Sequence, residues 1–190
     1  ARPLEGRFAG NAVLALEFAQ SVADVEGVLG ERTNTAAREA LDRLNRLDAL
    51  YLVAYGWLLI AGSVVAARRP GQRWLLALVP LAALASLSDL AENQVLLRLT
   101  ATTSAADIAP LLGPLRAFTL VKWELLAVVT AALGLSLFLE GGWWRRLCGG
   151  AGIVAAPLGV ITVFDAARFS PLLTLAFAPV WIVVFVRTLR

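Results

Sequence analysis

The chain has no histidine, no methionine and a single cysteine, Cys148, in 190 residues. Without His or paired Cys, no haem, zinc or copper centre of the usual kind is expected. Nucleophilic arrangements of the Ser-His-Asp or Cys-His type are excluded for the same reason. Cys148 has no second cysteine to pair with, so an internal disulfide is excluded, and it reads as a small apolar filler. Lysine is nearly absent as well: Lys122 stands alone beside 16 arginines. Charged residues make up only 16% of the chain, against roughly 25% in an average soluble domain.

What fills the sequence instead is apolar. Hydrophobic residues reach 59%, and the mean hydropathy is +0.74. They are gathered into long runs, each close to the ~20 residues that a helix needs to cross a bilayer. This composition excludes a soluble enzyme, a disordered chain, a collagen-like fibre and a small disulfide scaffold. It predicts an all-α protein, a polytopic transmembrane helix bundle of about five spans, over 47–67, 74–99, 115–139, 147–164 and 171–186. The pI of about 9.7 does not imply nucleic acid. The arginines mark the ends of apolar runs and form no single basic stripe, which is the pattern that orients membrane proteins. The expected partners are the lipid bilayer and partner membrane helices or a second copy of the chain.

Residues 1–10 read as an irregular lead-in. Residues 11–29 have helical period, with Glu17, Gln20, Ser21 and Asp24 on one face and Leu14, Phe18, Val22, Val25 and Leu29 on another. Three carboxylates (Glu17, Asp24 and Glu26) argue against a span, at roughly 2.5–3.5 kcal/mol each near a bilayer centre. An extracytoplasmic amphipathic helix lying on the membrane or capping the bundle fits better, so residues 1–35 form one segment and 36–190 the membrane bundle. Residues 30–35 are a break with capping side chains, and a helix then runs over 36–67. Residues 100–114 read as a polar loop and 165–170 as a tight turn. Six tryptophans read mostly as interfacial anchors, above all Trp74, Trp143 and Trp144. The Gly-rich 147–164 run predicts close helix contact.

Arginine counts set the orientation. The 68–73 turn, the 140–146 turn and the C-terminal end hold seven arginines; the opposite loops hold Arg98, Arg116 and Arg168. The first set is therefore expected in the cytoplasm, with the C-terminus, and the N-terminal segment outside a cell membrane. An external segment of that length implies an export signal ahead of this sequence or cleaved from it.

Ionisable residues within spans are costly and mark function when they occur. On the first span Leu41, Leu44, Asp48, Tyr51 and Tyr55 fall in helical steps. On the second, Ser86, Asp89, Glu92 and Asn93 share a face. On the third, Lys122 lies in the outer half, and Glu124, about 200° further round, reads as lipid-facing. The expectation is an outer polar pocket formed by Asp48, Tyr51, Tyr55, Asp89, Glu92, Asn93 and Lys122. Lys122 would serve as counterion to Asp89 or Glu92. Three carboxylates against one ammonium would leave net charge −2, so burial should keep a proton, or recruit a cation or an amine, on at least one carboxylate. Carboxylate–histidine metal chemistry is excluded, and no metal site is expected. The structural alternative is an ion-pair network that only fixes helix register. Three functional classes remain open. The first is a pocket for a small molecule, lipid headgroup or cation, with or without coupling to transport. The second is a non-catalytic subunit or assembly factor of a larger membrane complex. The third is a membrane enzyme acting on a lipid-linked substrate.

Overall fold

A computed structural model of the chain describes Phe8 and residues 11–30, 35–102 and 104–189. The expected irregular lead-in, apart from Phe8, and most of the 30–35 break lie outside the described residues. Among the described residues there are seven α-helices and no strand: α1 (Ala12–Glu17), α2 (Val22–Leu29), α3 (Thr35–Ala67), α4 (Leu78–Ala101), α5 (Ala105–Leu139), α6 (Trp143–Thr162) and α7 (Ala166–Thr188). A 3₁₀ turn, Arg73–Ala77, leads into α4. Four helical segments are long and apolar enough to cross a membrane: Thr35–Ala67, Arg73–Ala101, Ala105–Leu139 and Ala166–Thr188.

Three local readings of the sequence differ from the structure. The 11–29 helix is two helices. Asn11 caps α1 through its side chain, and Ser21 opens α2 with a capping box in which Ser21 Oγ accepts from Asp24 N and Asp24 Oδ2 accepts from Ser21 N. Two reciprocal caps satisfy orphan amides only if the helix restarts there, so the pattern overrides the apolar period. The 100–114 loop is nearly all helix. Ser104 Oγ accepts from Ala106 N, Asp107 sits in the first turn where the helix dipole favours it, and α5 runs through Pro110 and Pro114. The 165–170 turn is also helix: Asp165 caps α7, whose 23 residues replace an apparent span of sixteen.

The chain divides into two compact units, Ala1–Leu52 with Leu87–Val121, and Val53–Ser86 with Lys122–Arg190, the boundaries falling inside α3, α4 and α5. In the first unit Leu16, Leu29, Leu96, Leu99 and Leu115 are fully buried, and Phe8 stacks on Phe18 with ring centroids 5.8 Å apart. In the second, α5 and α6 touch at glycines. A Cβ on Gly149 would stand 2.5 Å from the Gly134 carbonyl oxygen and 2.6 Å from Phe138 N. Only residues without side chains let two backbones come so close, which is the use the Gly-rich run suggested.

Candidate functional site

Within the first unit, α3 and α4 are joined by a ladder of polar contacts. Arg38 Nη1 donates to the carbonyls of Thr100 and Thr102, at 2.7 and 2.8 Å. These belong to the C-terminal end of α4, where carbonyls lack helical partners and a cation is favoured. One turn further along α3, Asp42 accepts a hydrogen bond from Thr100 Oγ1. Two turns further still, Asp48 Oδ2 accepts from Asn93 Nδ2 at 2.9 Å. Between them lies Asn45, 2% exposed, whose Nδ2 has no hydrogen-bond partner among the described residues. A buried amide donor left open is uncommon and calls for an occupant such as water or a ligand.

Asp89, Glu92 and Asn93 fall at i, i+3 and i+4, so one face of α4 carries all three. Their exposures are 3%, 0% and 4%. Glu92 Oε1 accepts from Thr119 Oγ1 of α5 at 2.6 Å. The same hydroxyl approaches the Glu17 carbonyl oxygen, at the end of α1, at 3.2 Å. One hydroxyl thus stands between a buried carboxylate and the last carbonyl of α1. It joins α1, α4 and α5.

Of the expected site residues, Asp48, Tyr51, Asp89, Glu92 and Asn93 belong to the first unit. Asp48 and Asn93 are bonded to each other. Tyr51 is 57% exposed, and so is much of Leu44, at 49%. The buried stripe of α3 runs instead through Leu41, Asn45, Leu52, Tyr55 and Leu59. Both stripes fit a 3.6-residue period, and packing against neighbours selects between them.

Tyr55 and Lys122 belong to the second unit. Tyr55 stacks on Trp181 at 5.8 Å, Trp181 on Phe177 at 5.4 Å, and Phe177 on Trp123 at 6.4 Å. Lys122 Nζ lies 5.6 Å from the Trp123 ring centre, within cation–π range. Trp181 Nε1 donates to Thr130 Oγ1 at 2.9 Å. Trp123 and Trp181 are therefore half-buried members of an aromatic column, whereas Trp57, Trp74, Trp143 and Trp144 are exposed at 71, 44, 78 and 54%. Lys122 and Trp123 are successive residues about 100° apart on the helix, and the four-carbon lysine stem reaches round to the ring. Glu124 is half-buried, its carboxylate 3.4 Å from where a Cβ on Gly159 of α6 would stand, so it is not simply lipid-facing. Cys148 is buried.

The second unit also gathers arginines. Arg187 of α7 forks onto Glu140, Nη1 to Oε1 at 2.9 Å and Nη2 to Oε2 at 2.6 Å. Arg69 pairs with Oε1, and Arg145 Nη1 lies 3.7 Å from Oε2. The Arg-rich segments that follow α3 and α5 and end α7 thus meet on one carboxylate. Burial pushes the Glu140 carboxyl up, but hydrogen bonds and charge from Arg187 and Arg69 outweigh that and hold it below its ordinary range.

Sequence reasoning missed Arg38, Asp42, Asn45, Thr100 and Thr119. The Arg38–Asp42–Asn45–Asp48 spacing was a legible polar face. Thr119 carries no such signal, because a threonine in a membrane helix can bond its own backbone. Among the described residues, no group of three or more metal-ligating side chains converges. Comparison with family models, with curated proteins and with solved structures gives no match.

Proposed function

We propose that this is a multi-pass membrane protein that binds a small amine-bearing molecule, lipid headgroup or cation at the carboxylate cluster of its first unit. The observation that carries the reading is Glu92. It is entirely buried on a helix of membrane-spanning length, with a hydroxyl on its carboxylate and Asp89 and Asn93 on the same face. Ionisable groups in such helices are expensive to bury and are kept where they do work. Asn45, with an open buried donor between Asp42 and Asp48, supplies a polar contact for an occupant. An ammonium suits this site better than a metal ion, since it needs acceptors on one side only and no closed shell of oxygens.

In this reading α6, whose twenty residues begin with Trp-Trp-Arg-Arg, is a fifth span. The convergence of three Arg-rich segments on Glu140 supports a cytoplasmic location for that end, following the positive-inside rule, with α1 and α2 outside.

The binding test is thermal stability of the full chain in detergent against choline, ethanolamine, sodium and magnesium, with Glu92→Gln and Asp89→Asn beside it. Ligand-dependent stabilisation that disappears in both variants is expected. Equal response of wild type and variants, or no response to any of the four, overturns the reading. For topology, a Cys148→Ala background with cysteines at Ala106 or Gly71 should label from opposite sides of intact cells; labelling from one side sinks the assignment.

A further inference from the structure

The arginine cluster holds more positive charge than it uses. Glu140 is a single carboxylate, its side chain 8% exposed, facing Arg69, Arg145 and Arg187. Arg187 is 18% exposed and commits both terminal nitrogens to the fork. Arg69 and Arg145 are 39% and 52% exposed, and Arg145 is beyond hydrogen-bond distance from Glu140. The cluster therefore carries a surplus of two positive charges, on the two members that reach solvent.

Beside them is an open cleft of about 450 Å³, lined by Glu140, Gly141, Gly142, Trp143, Trp144 and Arg145. Trp143 and Trp144 meet edge to face at 5.5 Å and are both exposed. Paired indoles at the end of an apolar helix are side chains suited to the headgroup layer. Leu139 and Leu147, which flank the cleft in sequence, are 68% and 61% exposed, an apolar surface suited to acyl chains.

We infer that this cleft binds the phosphate of an anionic phospholipid, held by Arg145 beside the paired indoles and drawn by the positive charge of Arg69 on Glu140, with the lipid tails along Leu139 and Leu147. Arginine presents a donor fork that matches phosphate geometry, and Arg187 on Glu140 keeps the cluster assembled while Arg145 engages the ligand and Arg69 adds positive charge beside it. A free phosphate offers the same oxygens but gains nothing from the indoles and leucines, so the lipid is the occupant assigned. Its residues belong to the second unit, and its test does not depend on the carboxylate cluster of the first.

The experiment uses the full chain in nanodiscs of phosphatidylcholine doped with phosphatidylglycerol, extracted into detergent for native mass spectrometry. Retained phosphatidylglycerol should exceed phosphatidylcholine at equal mole fraction. Arg145→Gln should cut that preference about fivefold, the worth of one arginine near an anionic lipid surface. Arg69→Gln with Arg145→Gln should bring it close to parity. Arg145→Gln keeps the Arg187–Glu140 fork, so its melting temperature in pure phosphatidylcholine should match wild type. Equal retention of the two lipids by wild type overturns the inference, as does an undiminished preference in Arg145→Gln. Displacement of the lipid by millimolar inorganic phosphate would assign the cleft to the free ion and overturn it too.

Discussion

Thr119 Oγ1 lies 2.6 Å from Glu92 Oε1 and 3.2 Å from the carbonyl oxygen of Glu17. A hydroxyl has one proton to give, and the shorter contact takes it while Glu92 is ionised. If Glu92 is protonated, it can donate to Thr119, which then turns its own proton to the Glu17 carbonyl. The same three groups so accommodate either charge state of the carboxyl. Thr119→Val keeps shape and removes the donor. It should lower stability by about 1–3 kcal/mol, the cost of withdrawing one partner from a buried polar group. Thr119→Ser should keep most of it. Thermal melting of the two variants in one detergent checks the difference; equal loss would assign the effect to packing.

Arg38 is the cap that α4 obtains from another helix. Arg38→Gln should cost about 1–2 kcal/mol and raise amide exchange in the last turn of α4 around Thr100, because two terminal carbonyls lose a charged donor. Exchange that rises evenly along the whole of α4 would contradict this assignment.

Two neighbouring glycines of α6 should behave oppositely. Gly149→Ala puts a methyl into the backbone of α5 and should destabilise by about 1–3 kcal/mol or prevent folding. A Cβ at Gly150 meets nothing within 4 Å, so Gly150→Ala should be neutral or gain up to about 1 kcal/mol from helix propensity. Paired melting curves decide it, and equal sensitivity at the two positions would refute the close crossing.

Glu140 gives the second unit an acid dependence. Its carboxyl is held below the ordinary range in the folded protein, so its contribution is complete above the unfolded value. That contribution fades as pH falls through the glutamate range towards the lowered folded value. Glu140→Gln should cost about 2 kcal/mol at neutral pH, less than for a fully buried pair because Arg69 and Arg145 keep water. The variant should flatten this part of the stability profile at acid pH. A variant profile parallel to wild type down to pH 3 would rule out Glu140 as the titrating group.

The sequence alone determined the class of protein and much of its covalent limits. Long apolar runs cannot stay in water, and the lack of His and of a second Cys removes whole chemistries whatever the fold. It also isolated Asp89, Glu92 and Asn93, because charges on an apolar helix are conspicuous and i, i+3, i+4 spacing fixes their common face. The capping box at Ser21 and the cap at Ser104 were legible but outweighed by apolar period and by proline. Only the tertiary structure selected the Asn45 and Leu52 stripe of α3 over the Tyr51 stripe, drew Thr119 onto Glu92, and set Trp123 and Trp181 in a half-buried aromatic column. The physical reason is the same in each case. A helix repeats at 3.6 residues and offers several adjacent faces, and the burial of one of them is settled by what other segments bring against it.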